Sequence, residues 1–251
     1  MRKWLRATTV LALILILVTT LIGCNDNGNK VTFADPGLEA AIRQEINKPK
    51  GSIYPEDLEG LSYLNYSRLI YNIEDITTNL TGLEYCINLT ELHLDSNQIV
   101  DISPLSSLTN LTELYLGFNQ IADISPLSSL TDLRRLSLRH NQVADLSPLS
   151  GLINLTYLQL EWNQISNISA LSGLTNLTYL QLRDNQISDI STLSSLTKLI
   201  SLNLVGNQIS DISPLISLPI LLEVNLKYNP LSADSVFTYI PQLKASGVSV
   251  S

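Results

Sequence analysis

Residues 108–127, LTNLTELYLGFNQIADISPL, contain the unit from which the whole chain can be interpreted. Leucine and isoleucine recur in this segment at fixed distances from Asn119, and the same phrase returns before and after it without gaps. The asparagine of each copy recurs every 22 residues, at Asn97, Asn119, Asn141, Asn163, Asn185, Asn207 and Asn229. A fixed period of this length indicates one structural unit repeated along the chain.

Each unit has the pattern L-x-x-L-x-L-x-x-N-x-L of a leucine-rich repeat, which occurs seven times from Leu89 to Leu231. Leu114 and Leu116 alternate with Tyr115, and this is the period of a short strand with one face toward a core. A single strand buries too little surface, whereas stacked parallel units share one continuous core. The sequence therefore predicts an α/β solenoid, a curved leucine-rich repeat with a parallel concave β-sheet.

Two further parts of the unit predict how each coil turns. The repeating asparagine has both donors and an acceptor, so we expect it to be buried and to bind backbone groups where the coil leaves its strand. In the phrase Asp-Ile-Ser-Pro-Leu, serine as N-cap and proline at the first helical position predict short helical turns on the convex side. The aspartates of this phrase could form a ladder of cation ligands, but acceptors in local turns are the simpler interpretation. They are Asp101, Asp123, Asp145, Asp189 and Asp211.

Residues 1–23 differ from the repeats and predict an exported protein. Three basic residues precede the apolar residues 7–22, a segment that is short for a membrane span and typical of a signal peptide. Residues 21–24, Leu-Ile-Gly-Cys, resemble the lipobox of bacterial lipoproteins, whose cysteine becomes the lipidated first residue of the mature chain. Cys24 is therefore the candidate lipidation site, and residues 24–30 form a short tether. An uncleaved N-terminal anchor is the alternative, and either arrangement tethers the repeats outside the cytoplasm.

A helical cap is predicted before the repeats. Asp35 and Pro36 supply an N-cap and a first-turn proline for an amphipathic helix, and residues 55–61 can form a second, shorter one. Residues 61–86 contain a degenerate repeat whose strand half fits no register well. The N-terminal helical cap and degenerate repeat are thus expected over residues 31–88.

A second cap is predicted after the repeats, which extend over residues 89–229. Ser232 can cap a helix in the C-terminal cap, residues 230–251, and a small strand is expected over residues 248–251. Atypical units of this kind are needed at both exposed ends of a solenoid.

Composition agrees with an exported binding scaffold. The chain carries 15 basic and 23 acidic residues, and without the three basic residues of the leader 12 basic residues remain, a net charge of −11. This acidity argues against nucleic acid as a partner. Cys86 occupies a leucine column, so it is expected to be a buried free thiol, and we expect a monomer with no cofactor and no metal. Glycosylation sequons such as those that begin at Asn110, Asn154 and Asn176 fall inside the repeat phrase and are expected to carry no glycans.

From about Val31 onward the chain resembles the internalin-like class of bacterial leucine-rich repeat proteins. The resemblance is carried by residues 108–127, quoted above, together with the N-terminal helical cap. It implies a curved, non-enzymatic recognition module that binds a protein through its concave strand face. The chain shows no LPxTG-type sorting sequence and no following immunoglobulin-like domain, so the resemblance does not extend to wall anchoring or host invasion, and lipid anchoring would replace them.

Aromatic side chains gather on the predicted concave face. Equivalent residues of neighbouring repeats lie about 4.8 Å apart there, the spacing between strands. This spacing makes Phe118, His140 and Trp162 consecutive neighbours and places Tyr157 beside Tyr179. Aromatic residues and arginine are enriched at binding hot spots, whereas single exposed aromatics on strands need no function.

Charged side chains accompany these aromatics. Arg139, Glu161 and Arg183 are predicted to form an alternating charge ladder across the central repeats, which favours cross-strand pairing. Arg135 beside Arg139 leaves local positive charge that could receive an acidic partner. The candidate ligand-binding residues are Tyr115, Phe118, Arg139, His140, Tyr157, Gln159, Glu161, Trp162, Tyr179 and Arg183.

Three other classes of function are alternatives to protein binding. Carbohydrate recognition is open, because aromatic faces lie beside Gln159, Gln181 and Asn203, and an architectural role in the cell envelope is also open. An enzyme is disfavoured because candidate triad members of one row stand two repeats apart, about 10 Å, beyond hydrogen-bond reach. These residues are Ser96, His140 and Asp184.

Overall fold

The computed structural model describes residues 30–67 and 76–251. Residues 31–251 form a compact unit of their own. The predicted leader, residues 1–23, and the candidate lipidation site Cys24 lie outside the described residues. Within the described ranges, no helix is both long enough and apolar enough to cross a membrane.

The described part of the chain forms one parallel sheet whose strands follow one another in chain order, β1 to β9. Each strand pairs only with its sequence neighbours, and Leu114 of β3 pairs with Leu136 of β4 as the 22-residue period predicts. The predicted parallel solenoid sheet is confirmed. The strands are β1 Tyr63–Asn65, β2 Glu91–His93, β3 Glu113–Tyr115, β4 Arg135–Ser137, β5 Tyr157–Gln159, β6 Tyr179–Gln181, β7 Ser201–Asn203, β8 Glu223–Asn225 and β9 Ser249–Val250.

Short 3₁₀ turns lie between the strands, as predicted, but in the turns of the Ser-Pro-Leu phrase and its variants serine is the first residue and not the N-cap. In the turn that begins at Ser147, the carboxylate of Asp145 accepts the backbone N–H of Ser147 at 2.8 Å. The same contact recurs in the other repeats, so the aspartates act as turn acceptors. The hydrogen bonds from Ser147 lower the pKa of Asp145. The turns are Leu83–Tyr85, Ser103–Ser107, Ser125–Ser129, Ser147–Leu149, Ser169–Gly173, Ser191–Ser195 and Ser213–Ser217.

The repeating asparagines form the predicted buried ladder. Asn141 is 9 % exposed. Its Oδ1 accepts the N–H of Ile121 at 2.9 Å, and its Nδ2 donates to the carbonyls of Leu116 and Leu138 at 2.9 and 3.0 Å. Since Ile121 and Leu116 belong to the preceding repeat, each asparagine ties two coils together.

A second, exposed set of hydrogen bonds also joins the coils. The side-chain amide of Asn110 donates to the carbonyl of Ile87 at 2.9 Å, and Asn154 and Asn176 make the equivalent contact two and three repeats further on. Each of these three asparagines begins a glycosylation sequon, so the repeat framework explains why these sequons are there.

The apolar columns of the repeats form one continuous core. Cys86 replaces a leucine in one column and is fully buried, as predicted. Burial, and after it the charge of Glu84, raises the pKa of the Cys86 thiol to about 12, so the thiol stays protonated and packs as a small apolar group.

The N-terminal cap contains the predicted helix, α1, Pro36–Glu45, whose N-cap Asp35 accepts the N–H of Leu38 at 2.7 Å. A 3₁₀ turn follows at Pro55–Leu58 in place of the predicted second helix. The strand half of the degenerate repeat, which fitted no predicted register, is β1.

Strand β1 escaped the sequence pattern because its repeat is longer than the others. Leu64 of β1 pairs with Leu92 of β2, 28 residues later, whereas Leu92 pairs with Leu114 only 22 residues later. The six additional residues break the period within this one coil. A register based on 22 residues therefore could not find the strand.

The C-terminal cap contains the predicted helix and strand. A π-helical turn, Ser235–Tyr239, continues into α2, Ile240–Ala245, and the hydroxyl of Ser232 accepts the N–H of Ser235 at 3.1 Å. The chain then returns to the sheet as β9, a strand of two residues that pairs with β8.

Candidate functional site

The candidate site lies on the solvent side of the sheet, which we call the strand face. It is formed by the first and third residues of each strand and by the residues just after the strand. The register places Tyr157 opposite Tyr179 and Gln159 opposite Gln181, as the repeat spacing predicts. The middle residues of the strands point into the core and are buried.

Phe118, His140 and Trp162 form a continuous stack, called here the central stack. The ring centroids of Phe118 and His140 lie 4.2 Å apart with 17° between the ring planes. Those of His140 and Trp162 lie 4.1 Å apart with 16° between the planes. Phe118 remains 40 % exposed and Trp162 37 % exposed, so the stack presents aromatic surface to solvent.

The backbone at the central stack is left-handed, which is unusual for large side chains. The φ angles of Phe118, His140 and Trp162 are 56°, 51° and 53°. The N–H of His140 donates to the carbonyl of Glu161 at 2.8 Å. The corresponding hydrogen bond recurs at the equivalent position of the neighbouring repeats, so main-chain hydrogen bonds between repeats stabilise this conformation. The same conformation occurs throughout the row, at Ser96, Phe118, His140, Trp162, Asp184, Gly206 and Tyr228. It is therefore a property of the repeat, and it points every residue of the row in the same way.

Two tyrosines form a second stack beside the first. The rings of Tyr157 and Tyr179 lie 4.4 Å apart and are parallel within 2°. Burial, and after it the neighbouring Tyr157, raises the pKa of Tyr179 to about 12. The guanidinium carbon of Arg135 lies 4.8 Å from the centre of the Tyr157 ring. Both tyrosines are half-buried, with one ring edge toward solvent.

A third stack was not foreseen. Tyr115 stacks on His93 at 4.4 Å, and His93 contacts Tyr63 at 5.8 Å. Tyr115 thus belongs to a group of three rings at the N-terminal end of the strand face. Tyr63 was missed because it lies on β1, whose register the period could not give.

The predicted charge ladder does not form ion pairs. No distance of 4.0 Å or less joins Glu161 to Arg139 or Arg183, all three of which the structure describes. Arg183 instead binds Asp184 at 2.8 Å, and its guanidinium carbon lies 5.0 Å from the centre of the Trp162 ring. The guanidinium carbon of Arg139 lies 4.9 Å from the centre of the Phe118 ring. Each arginine packs on an aromatic ring of the preceding repeat.

Glu161 is left buried between these arginines. It is 8 % exposed. Its Oε2 and the Nε of Arg139 are both buried and have no hydrogen-bond partner. Burial raises the pKa of Glu161, and the charges of Arg139 and Arg183 oppose this effect only in part.

We expect Glu161→Gln to raise the melting temperature at pH 7 and to leave it unchanged near pH 3. The folded pKa lies above the ordinary value of 4.5, so the stabilising contribution is present below that value and is lost as the pH rises through the folded pKa. The glutamine side chain does not titrate, so the Glu161→Gln protein does not lose stability as the pH rises through this pKa. A difference of a few degrees is expected, since about 1 kcal/mol corresponds to about 2–4 °C in a domain of this size. Melting curves of both proteins across this pH range test it, and identical curves at every pH would contradict the raised pKa.

The glutamine side chains of two neighbouring strands, Gln159 and Gln181, are more buried than the rings of Phe118 and Trp162. Gln159 is half-buried and Gln181 is 6 % exposed. Towards the C-terminal repeats the row of these glutamines opens into a shallow polar hollow. The side chains that line it are those of Tyr179, Gln181, Ser201, Asn203, Glu223 and Asn225.

The candidate triad of Ser96, His140 and Asp184 is not brought together on this face. Ser96, His140 and Asp184 occupy alternate repeats of one row, and the rings of Phe118 and Trp162 lie between them. In the part of the chain that the structure describes, no group of three or more histidine, cysteine or acidic side chains is placed to hold a metal ion.

The parallel sheet, the 3₁₀ turns and the asparagine ladder define a leucine-rich repeat protein. A family model described as leucine-rich repeats in two copies matches residues 87–129, 131–173, 163–195 and 175–217. Repeats of this kind mediate protein–protein interactions. A comparison with curated proteins gave no significant match.

The chain belongs to the internalin-like leucine-rich repeat proteins. It is 38 % identical to internalin C2 of Listeria monocytogenes, with a TM-score of 0.77, over 87 % of this chain and 94 % of that one. It is 32 % identical to internalin F of the same organism, with a TM-score of 0.53, over 87 % of this chain and 75 % of that one. Internalin-like relatives are surface or secreted proteins.

A more distant likeness is to a plant peptide hormone receptor, RGFR1, whose structure was solved in complex with RGF2. The identity is 28 % and the TM-score 0.60, over 71 % of this chain and 30 % of the receptor chain.

Proposed function

We propose that this protein is a membrane-tethered, extracytoplasmic binding module that recognises a protein partner through the strand face. The observation that supports it best is the central stack with its arginines. Trp162 and Phe118 are each more than a third exposed, yet both are held between neighbouring rings and guanidinium groups. Aromatic and arginine side chains dominate the energy of protein interfaces, and exposed contiguous aromatics mark such sites.

The rigidity of this surface favours binding. A side chain that is already fixed loses little conformational freedom when a partner arrives, so more of the contact energy contributes to affinity. The stack fixes the rings of Phe118, His140 and Trp162 by mutual contact, and the left-handed backbone fixes their direction. The likeness to a peptide hormone receptor supports a polypeptide as the ligand.

The tether rests on the sequence alone. Three basic residues, an apolar segment and Leu-Ile-Gly-Cys at residues 21–24 favour export and lipidation of Cys24. Metabolic labelling with a palmitate analogue tests this part. We expect the label on the full chain and complete loss of the label in Cys24→Ala, while a labelled Cys24→Ala protein would exclude this site.

Carbohydrate binding is the alternative, and one feature favours it. Tyr179, whose ring is parallel to that of Tyr157, lines the polar hollow that contains Gln181 and Asn203. Flat aromatic surface beside hydrogen-bonding groups suits a sugar ring. A purely architectural role in the envelope would not need aromatics gathered on one face.

The test compares the two ligand classes directly. The full chain is used for affinity capture from extracellular protein extracts and, in parallel, is applied to a glycan array. We expect a captured protein whose binding depends on Trp162, with no glycan bound specifically. Specific glycan binding that depends on Tyr157 and Tyr179 would support the alternative, and the absence of any ligand that depends on these aromatics would contradict both.

A further inference from the structure

Three arginines of this acidic protein lie close together on the strand face. The whole chain has a net charge of −8. Arg135, Arg139 and Arg183 nevertheless lie together on the central repeats, each with its guanidinium carbon 4.8–5.0 Å from the centre of an aromatic ring. The three guanidinium groups therefore pack against aromatic rings on the same face as the central stack.

Only one of the three arginines lacks a compensating carboxylate. Arg183 binds Asp184 at 2.8 Å, and Arg135 lies 3.8 Å from Glu113. No carboxylate of the described residues lies within 4.0 Å of Arg139, and the Nε of Arg139 is buried without a hydrogen-bond partner.

Asp95 and Glu161 interact electrostatically with Arg139, but neither forms an ion pair with it. Asp95 accepts the N–H of Gly117 at 3.0 Å, so one carboxylate oxygen is already engaged. Glu161 is buried. Burial raises the pKa of both Asp95 and Glu161, which favours their neutral forms. Of the three arginines, Arg139 is thus the one whose charge is least neutralised.

A partner can supply an acceptor to the guanidinium group of Arg139, which has no ion-pair partner among the described residues. The guanidinium group has no acceptor atom and is always charged, and its planar set of donors matches the two oxygens of a carboxylate. A lysine or arginine from a partner would instead be repelled by Arg139. A carboxylate placed over Arg139 would also lie beside Phe118, where an adjoining apolar side chain can contact the central stack.

We infer that the protein partner presents an acidic segment to the strand face, with an aspartate or glutamate on Arg139 and an adjoining apolar or aromatic side chain on the central stack. This inference rests on the proposed function, because it names the chemistry of the partner bound at the same surface.

The test selects peptides against the full chain from a phage-displayed random library. We expect the enriched peptides to contain aspartate or glutamate next to an apolar residue. Their affinity should fall at least tenfold in Arg139→Gln and should also fall as salt rises, because the pair is electrostatic. Arg139→Lys keeps the charge but loses the planar fork, so it should recover only part of the affinity.

Arg134→Gln is the matched control, because it removes the same charge from an exposed position at the side of the sheet. It should leave the affinity unchanged, and thermal unfolding of each variant shows that the fold is intact.

The outcomes separate this inference from the proposed function. Enriched peptides that depend on Trp162 but are basic or neutral, or are indifferent to Arg139→Gln, would overturn the acidic segment and leave protein recognition standing. Binding of a sulfated glycan probe that depends on Arg139, without acidic peptides, would overturn the inference in favour of an acidic sugar. A library that yields no peptide dependent on Trp162 would count against both.

Discussion

Asn141→Leu is expected to destabilise the protein by about 3–5 kcal/mol. Leucine has the same branched arrangement of four side-chain heavy atoms and is bulkier, but it cannot accept the N–H of Ile121 or donate to the carbonyls of Leu116 and Leu138. Each buried backbone group left without a partner costs about 1–3 kcal/mol. Because two of the three groups belong to the preceding repeat, both coils should be loosened.

Urea denaturation measures this effect, and Asn110→Leu is its matched control. Asn110 makes one exposed hydrogen bond between coils, to the carbonyl of Ile87. The equivalent position of a later repeat is already occupied by an apolar residue, Ile220. We expect Asn110→Leu to cost about 1 kcal/mol or less, the usual net contribution of one hydrogen bond. Equal losses in the two variants would show that the buried ladder is no more important than the exposed one.

Trp162→Ala is expected to weaken binding of the captured partner by about 2 kcal/mol, or about 30-fold, the size of a typical hot-spot effect. The ring ends the central stack and supports Arg183 on its other side, so its loss removes contact area and frees both neighbours. Since Trp162 is partly exposed and lies outside the apolar core, the fold should survive. Titration calorimetry, with a thermal melt of each protein, measures both quantities.

Tyr228→Ala is the control for Trp162→Ala. Tyr228 occupies the same row with the same left-handed backbone, φ 58°, and is 83 % exposed, but it makes no ring contact with the central stack. Its removal should leave the affinity within about twofold of the unaltered protein, a difference of about 0.4 kcal/mol. A partner that loses as much affinity on Tyr228→Ala as on Trp162→Ala would move the interface to the C-terminal end of the strand face.

The position of the central stack could be predicted from sequence because the repeats have no insertions between Asn97 and Asn229. A constant period in a parallel sheet fixes which residues are neighbours, so Phe118, His140 and Trp162 had to be adjacent. The same logic failed for Tyr63, because six additional residues separate β1 from β2. Neighbours could therefore be predicted only where the 22-residue period is constant.

The contacts of the arginines could not be predicted in this way. A column of residues fixes where the backbone of Arg139 lies but not which way its long side chain turns. Opposite charges on neighbouring strands favoured pairing with Glu161, whereas Arg139 packs on the Phe118 ring and Glu161 is buried. Surface ion pairs contribute little free energy, so contact with an aromatic ring competes with them easily.

The left-handed row has a consequence for how proteins of this kind can change their ligands. Its seven positions share one backbone conformation, and at six of them, all except Tyr228, the backbone N–H donates to a carbonyl of the following repeat, a bond that does not depend on the side chain. The energetic cost of that conformation is therefore already present in every repeat, whether the residue is serine, tryptophan or aspartate. Exchange of one such residue for another alters what the surface recognises while the stability of the array is largely conserved. Specificity and stability can in this way evolve at separate positions of the same short repeat.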